Sequence, residues 1–426
     1  MRRGAGGTTG PVPGRLVRAS RAPGVRQAGP VPVLSLVVTG RDRPGLTASL
    51  FAALPAAGVT VADVSQSCVH GHVMIAVDLE HPAELQPRTV LAAVGAVCVP
   101  LGLTVSSPEP GGSCRAADPD ARSHVTVLAS PLTPAAMAAV AGRIAAHGCN
   151  IDRIVRVATH PVTAVELEVS GPDRDLLRSD LSRAAGELGI DVAVQPAGLY
   201  RRGKRLVIMD VDSTLVTEEV VELLARRAGC EERVAQVTAA AMRGELDFAA
   251  SLRERVALLA GLAVEAVDEV RRSLQLSPGA RTLIATLKRL DYRCGIVSGG
   301  FSQVTDVLAT ELGLDYARAN TLEVADGRLT GRLTGPIVDR EGKAAALREF
   351  AADAGVPMSQ TVAVGDGAND LDMLAAAGLG VAFNAKPVVR AAADASVSVP
   401  HLDAVLYLLG ITREEIDEVD RIDRRA

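Results

Sequence analysis

Apolar residues between positions 31 and 107 keep two rhythms, period two and period 3.6. VLSLVV (33–38) reads as a strand, and after the turn RDRPG the stretch LTASLFAALPAAG (46–58) has helical spacing. VTVADVSQSCV and VMIAVDLE follow as a strand pair; a second helical stretch near 87–96 leads into LTVSS. The predicted order is β-α-β-β-α-β, the split βαβ arrangement of ferredoxin-like α+β folds.

The series then recurs over 122–197. HVTVLASPLTPAAMAAVAGRIAAHGCNIDRIV overlays the first unit without gaps, with Val37 on Val127, Pro44 on Pro134, Gly58 on Gly148 and Val61 on Ile151. TAVELEVSG and DLLRSDLSRAAGELG supply its next strand and second helix. Repetition of a whole supersecondary unit predicts two copies of one domain. PEPGGSCRAADPDARS links them.

From 204 to 411 the grammar becomes strand-then-helix. LVIMD, YRCGIVSG, TVAVGD and LGVAF are short apolar strands, each running into polar or glycine-rich residues. This predicts a Rossmann-like α/β domain on a parallel sheet, with its functional loops at the strands' C-terminal ends. The insert at about 217–275 is helical by pattern and too long for a simple crossover, so it is expected to form a cap. Residues 412–426 make a charged tail.

Composition narrows the function classes. The 426 residues suffice for two or three domains, and a net charge of −5 offers no basic surface for nucleic acid or anionic lipid. Aromatics are 2% and tryptophan is absent, so Ala, Val and Leu must fill the cores. No apolar run approaches the roughly 20 residues that span a bilayer. Residues 1–30 lack the apolar region of a secretory signal and read as a disordered extension, or as the product of a start codon placed too far upstream. The six cysteines are scattered without C-x-x-C spacing, as expected of reduced thiols in a cytoplasmic protein. His70-Gly71-His72 is explained by a hairpin turn as readily as by a metal pair.

The chemistry gathers at three strand ends. DVDSTLV carries Asp210 and Asp212, VSGGF carries Ser298 and Gly299, and VGDGANDLDM carries Asp366, Asn369 and Asp370; Lys343 stands where a helix should begin. In a strand, residues two apart share a face, so Asp210 and Asp212 would repel unless a cation lay between them or they shared a proton. With Asp366 they form a hard oxygen set suited to Mg²⁺. Ser298, the Gly299 amide and Lys343 offer donors and positive charge to a phosphoryl group. One carboxylate can attack phosphorus while another handles protons.

These motifs resemble those of the haloacid dehalogenase-like phosphatases, and together with the cap sequence they resemble most closely the phosphoserine phosphatase family. The repeated units, RDRPGLTASLFAALPAAGV above all, look like two ACT domains, a combination found in the long actinobacterial form of that family. The resemblance implies a cytoplasmic, Mg²⁺-dependent phosphoric monoester hydrolase releasing L-serine from O-phospho-L-serine, the last step of serine biosynthesis. Asp210 would be the nucleophile and Asp212 the general acid/base. Mg²⁺ would be held by Asp210, the Asp212 carbonyl and Asp366, with Asp370 nearby through water. Ser298, Gly299 and Lys343 would bind the phosphoryl group, and Asn369 would face the substrate. Arg255 would take the serine carboxylate, Glu219 its ammonium, and Met242 and Phe248 would close the lid. It further implies a homodimer and an amino-acid effector such as serine at the ACT pair, near Gly45, which Ala135 replaces in the second copy.

Each cap residue also has a plain reading. Arg255 alone is a solvated helical charge among Arg253, Glu254 and Glu245, and Glu219 a first-turn acid favoured by the helix dipole. Met242 and Phe248 alone are core; their joint match to the family argues for substrate contact. The competing functions are a phosphatase or phosphotransferase for another small phosphate, and a non-catalytic amino-acid sensor. The complete catalytic set argues against the sensor.

Overall fold

The computed structural model describes residues 32–54, 59–108, 121–198, 201, 203–243 and 245–423. The expected extension 1–30 and Gly58 lie outside the described residues. The chain divides into two compact units, 1–115 and 116–426.

The first unit contains β1 (Val33–Arg41), a helix Leu46–Ala52, β2 (Thr60–Val69), β3 (His72–Glu80), a helix Pro87–Cys98 and β4 (Thr104–Ser106). The strands pair antiparallel in the order β2-β3-β1-β4. Alternation in β1 and β3 turns Leu34, Leu36, Val38, Ile75 and Val77 onto Leu50, Val90 and Val94 of the helices. Strand β2 is an edge strand exposed along its whole length. His70 and Gly71, both at positive φ, turn the chain between β2 and β3, as a two-residue hairpin requires.

The second unit opens with the repeat: β5 (Arg122–Ala129), a helix Pro134–Ala146, β6 (Asn150–Ala158), β7 (Thr163–Ser170), a helix Arg174–Leu188 and β8 (Asp191–Pro196). Its strand order, β8-β5-β7-β6, repeats that of the first copy. Even an irregularity recurs, with a register shift at Val61/Asp63 in one copy and at the aligned Ile151/Arg153 in the other. The helix starts differ. Gly45, at φ 85, precedes the first copy's helix, whereas in the second Thr133 caps a helix that begins at Pro134 and takes in Ala135.

The remaining strands are β9 (Leu206–Met209), β10 (Arg293–Phe301), β11 (Tyr316–Ala325), β12 (Arg328–Thr334), β13 (Thr361–Gly365), β14 (Gly380–Phe383) and β15 (Ala395–Val397). Six of them run parallel in the order β11-β10-β9-β13-β14-β15, the doubly wound pattern. Strand β9 is buried at every residue, which is why LVIM reads as a continuous apolar run. The sheet is mixed at its ends. The hairpin strand β12 runs antiparallel to β11, and β15 pairs antiparallel with β8 through Ala395 and Ala193. One eleven-stranded sheet therefore crosses from the repeat into the α/β part. Polar contacts accompany the crossing: Asp191 accepts from the Ser396 and Ser398 hydroxyls and the Ser398 amide, and Gln195 and Arg201 donate to the Leu408 carbonyl.

Between β9 and β10 stand the helices Val220–Ala228, Glu231–Met242, Phe248–Ala257 and Val264–Ser273 of the insert, followed by a helix Ala280–Arg289. The two connections into this insert pair with each other at Val216 and Leu276. Residues Arg413–Asp423 are helical and bury Ile416. Among the described residues no helix is long and apolar enough to cross a membrane, and the described cysteines are free.

Candidate active site

In a doubly wound sheet the connections leave neighbouring central strands in opposite directions, opening a crevice at their C-terminal ends. Here those strands are β9 and β13, which carry Asp210 and Asp366 directly after their last residues. The Asp210 amide donates to the Val364 carbonyl of β13 at 2.8 Å. Because β9 ends at Met209, Asp210 and Asp212 do not share a strand face as the alternation predicts. They lie in the tight turn that follows, in which Ser213 takes a left-handed φ of 57°. Val211, between them, is fully buried in the core.

Lys343 anchors the crevice. It is 0% exposed and projects from the first turn of the helix Arg340–Asp353, which Asp339 caps. Its Nζ lies 2.7 Å from both Asp210 Oδ1 and Asp370 Oδ1. Burial opposes the ammonium charge, but the two carboxylates outweigh it and hold the Lys343 pKa above its ordinary value. Burial and Asp370 push Asp210 well up, with Lys343 acting against them. Asp366 rises to about 6 through burial and Asp370, while the Thr214 hydroxyl donates to its Oδ1 at 3.1 Å.

Asp212 is held separately. Its Oδ1 accepts from the Val220 amide at 2.8 Å, at the start of the first cap helix, and its Oδ2 from Ser298 Oγ at 3.1 Å. Ser298 Oγ in turn accepts from the Gly300 amide at 2.7 Å. Burial raises the Asp212 pKa despite these donors, which favours a proton-carrying carboxyl. The approach leaves no room for a side chain: a Cβ on Gly300 would sit 2.9 Å from both Asp212 Oδ2 and Ser298 Oγ.

The cap contributes Glu219, Phe248 and Arg255. Glu219 Oε1 accepts from the Ser213 hydroxyl at 2.9 Å, and burial, then the charge of Asp212, lifts its pKa to about 7. Arg255 is half-buried; burial lowers its pKa, while Glu219 and Asp212 support its charge. Its Nε donates to the Ser251 carbonyl at 3.4 Å. The Phe248 ring covers Gly299, its Cζ 3.0 Å from where a Cβ would be. Met242 ends its helix, and its side chain lies outside the described part. Asn369 is half-buried and lies over Gly367. Gly45 belongs to the first unit and is described only there.

Oxygens of Asp210, Asp366 and Asp370 lie within 4.8 Å of one another. Three carboxylates against one lysine leave two negative charges when all are ionised. Such a set of hard donors fits a divalent cation such as Mg²⁺. Asp370, expected nearby through water, contributes an oxygen to this group and also accepts from Lys343. Ser213 and Thr214 are further contributors that the sequence reading left without roles. Their signal was their place directly after the paired aspartates, within reach of whatever those aspartates face.

Residues 207–375 match the haloacid dehalogenase-like hydrolase family, and 33–107 and 122–195 each match the ACT domain. The chain is 58% identical to a phosphoserine phosphatase of Streptomyces coelicolor, over 93% of this chain and 96% of that protein. It belongs to the phosphoserine phosphatase family. Another member, phosphoserine phosphatase SerB2 of Mycobacterium tuberculosis, is 51% identical over 91% of this chain and 95% of its own. Among solved structures, a probable phosphoserine phosphatase of Vibrio cholerae aligns with a TM-score of 0.55 at 33% identity, covering 71% of this chain and 91% of that one. A hydrolase of the haloacid dehalogenase family from Salmonella enterica aligns at 0.61 and 28% identity, covering 68% and 98%.

Proposed function

We propose that this chain hydrolyses O-phospho-L-serine to L-serine and phosphate, closing serine biosynthesis. The observation that carries this reading is that the cap brings a guanidinium, Arg255, and a carboxyl, Glu219, near enough to Asp212 for their charges to act on one another. A guanidinium suits a carboxylate and a carboxylate suits an ammonium, and a site built for both leaves a buried charge unpaired when an analogue lacks one. Relatives carrying the phosphoserine phosphatase name over nearly the whole chain support the same substrate.

In this reading a carboxylate oxygen of Asp210 attacks phosphorus and the bond from phosphorus to the serine oxygen breaks. Asp212 gives its proton to that oxygen, releasing serine. It then takes a proton from water, whose oxygen attacks the aspartyl-phosphate, freeing phosphate and restoring Asp210. Ser298, the Gly299 amide and Lys343 hold the phosphoryl oxygens, with Asn369 facing the substrate. Mg²⁺, held by Asp210, the Asp212 carbonyl and Asp366 with Asp370 nearby, would supply charge neutralisation at the phosphoryl group. Met242 and Phe248 close the lid. The ACT copies pair in a homodimer and take an amino-acid effector such as serine near Gly45.

Phosphate release from O-phospho-L-serine, with and without Mg²⁺, tests the reading. The wild type should release phosphate only with the metal, and Asp210→Asn should not. Failure of the wild type, or undiminished release by the variant, overturns it. O-phosphothreonine in the same assay reports how tightly the cap selects.

A further inference from the structure

We propose that Ser251 is a specificity-determining residue, its hydroxyl donating a hydrogen bond to the carboxylate of the bound substrate alongside Arg255. The inference rests on the reading of the substrate given above. Ser251 sits in the helix Phe248–Ala257, three residues after Phe248 and four before Arg255. That spacing puts all three on one helix face. Phe248 covers Gly299, and Arg255 lies near enough to Asp212 for the two charges to act on each other, so this face is turned toward the catalytic strand ends. Leu252, which flanks Phe248 and Arg255 on the same face, and Val256 beyond it enter the core.

Ser251 itself is 2% exposed, and among the described residues its Oγ has no hydrogen-bond partner. A buried hydroxyl left unpaired is costly. A helical serine can relieve that cost by bonding the carbonyl four residues back; here the Asp247 carbonyl accepts the Ser251 backbone amide, and the hydroxyl makes no such bond. The Arg255 guanidinium folds over the same residue, since its Nε donates to the Ser251 carbonyl. A carboxylate paired with Arg255 is thereby brought beside the free hydroxyl. Such a group accepts several donors at once, so Arg255 and Ser251 bind it together, one by charge and one by direction.

The test uses the full chain with Mg²⁺ and two phosphate esters that share an ammonium but differ in the carboxylate. KM is measured for O-phospho-L-serine, and O-phosphoethanolamine is measured as a competitive inhibitor of its hydrolysis. In Ser251→Ala the KM for phosphoserine should rise about tenfold, the loss of a hydrogen bond to a charged group. The inhibition constant of phosphoethanolamine should stay within twofold of wild type. In Ser251→Thr, which keeps the hydroxyl, the ratio of the two constants should return toward wild type. An unchanged ratio in Ser251→Ala, whether both constants move together or neither moves, overturns the assignment. Wild-type turnover of phosphoserine is measured alongside; its absence would refute the substrate reading, separately from the role of Ser251.

Discussion

The catalytic strand ends and the cap are built to opposite plans. At the strand ends the side chains are held by neighbours on the protein: Lys343 binds Asp210 and Asp370, Asp366 accepts from Thr214, and Asp212 is fixed by the Val220 amide and the Ser298 hydroxyl. In the cap, Arg255 donates to a carbonyl of its own helix and the Ser251 hydroxyl has no partner among the described residues. Groups meant to stabilise a transition state work best when positioned beforehand. Groups meant to choose a substrate can be left for the substrate to satisfy. On the proposed reading the difference assigns chemistry to the strand ends and selection to the cap.

The largest effect is expected at the sheet edge. Asp210→Asn should lower kcat at least ~10³-fold on any phosphate ester, as removal of a nucleophile does. A smaller loss on one ester than on another would blur the division. Next comes Gly300→Ala, whose added Cβ would press on both Asp212 Oδ2 and Ser298 Oγ. Displacing a proton-transfer group by up to an ångström should cost up to about 10²-fold in kcat, again on every ester, with little change in Tm. A Tm drop that accounts for the lost activity would make the glycine structural instead. The smallest effect on turnover is expected in the first unit. Gly45→Val places a branched side chain at φ 85, where only glycine is relaxed. Without serine its kcat should stay within twofold of wild type, while any response to added serine is lost. Retained response would place the effector elsewhere.

Much of this was legible in the sequence because periodicity and local chemistry carry it. The apolar run of β9, the repeated β-α-β-β-α-β units and the motif at each strand end need no tertiary information. What escaped was set by contacts between distant segments. Strand β15 is three residues long and β12 is a short, glycine-containing hairpin strand, so neither has a period to detect. The join of β8 to β15 rests on one residue pair, which no local pattern announces. The alternation rule misplaced Asp210 and Asp212 because the strand ends one residue too early for it to apply. Arg255 has a plain reading as a helical charge that only the family resemblance displaces, and Ser251 carries no signal at all; the packing of their helix, with Phe248 over Gly299, is a tertiary fact.

The division between edge and cap is tested most directly by Arg255→Ala assayed in parallel on O-phospho-L-serine and p-nitrophenyl phosphate, which has no carboxylate. The account predicts a loss in kcat/KM of about tenfold to a hundredfold on phosphoserine, the range for a charged hydrogen-bonded pair, with the generic ester changed by less than threefold. Equal losses on the two esters, or no loss on phosphoserine, would contradict it.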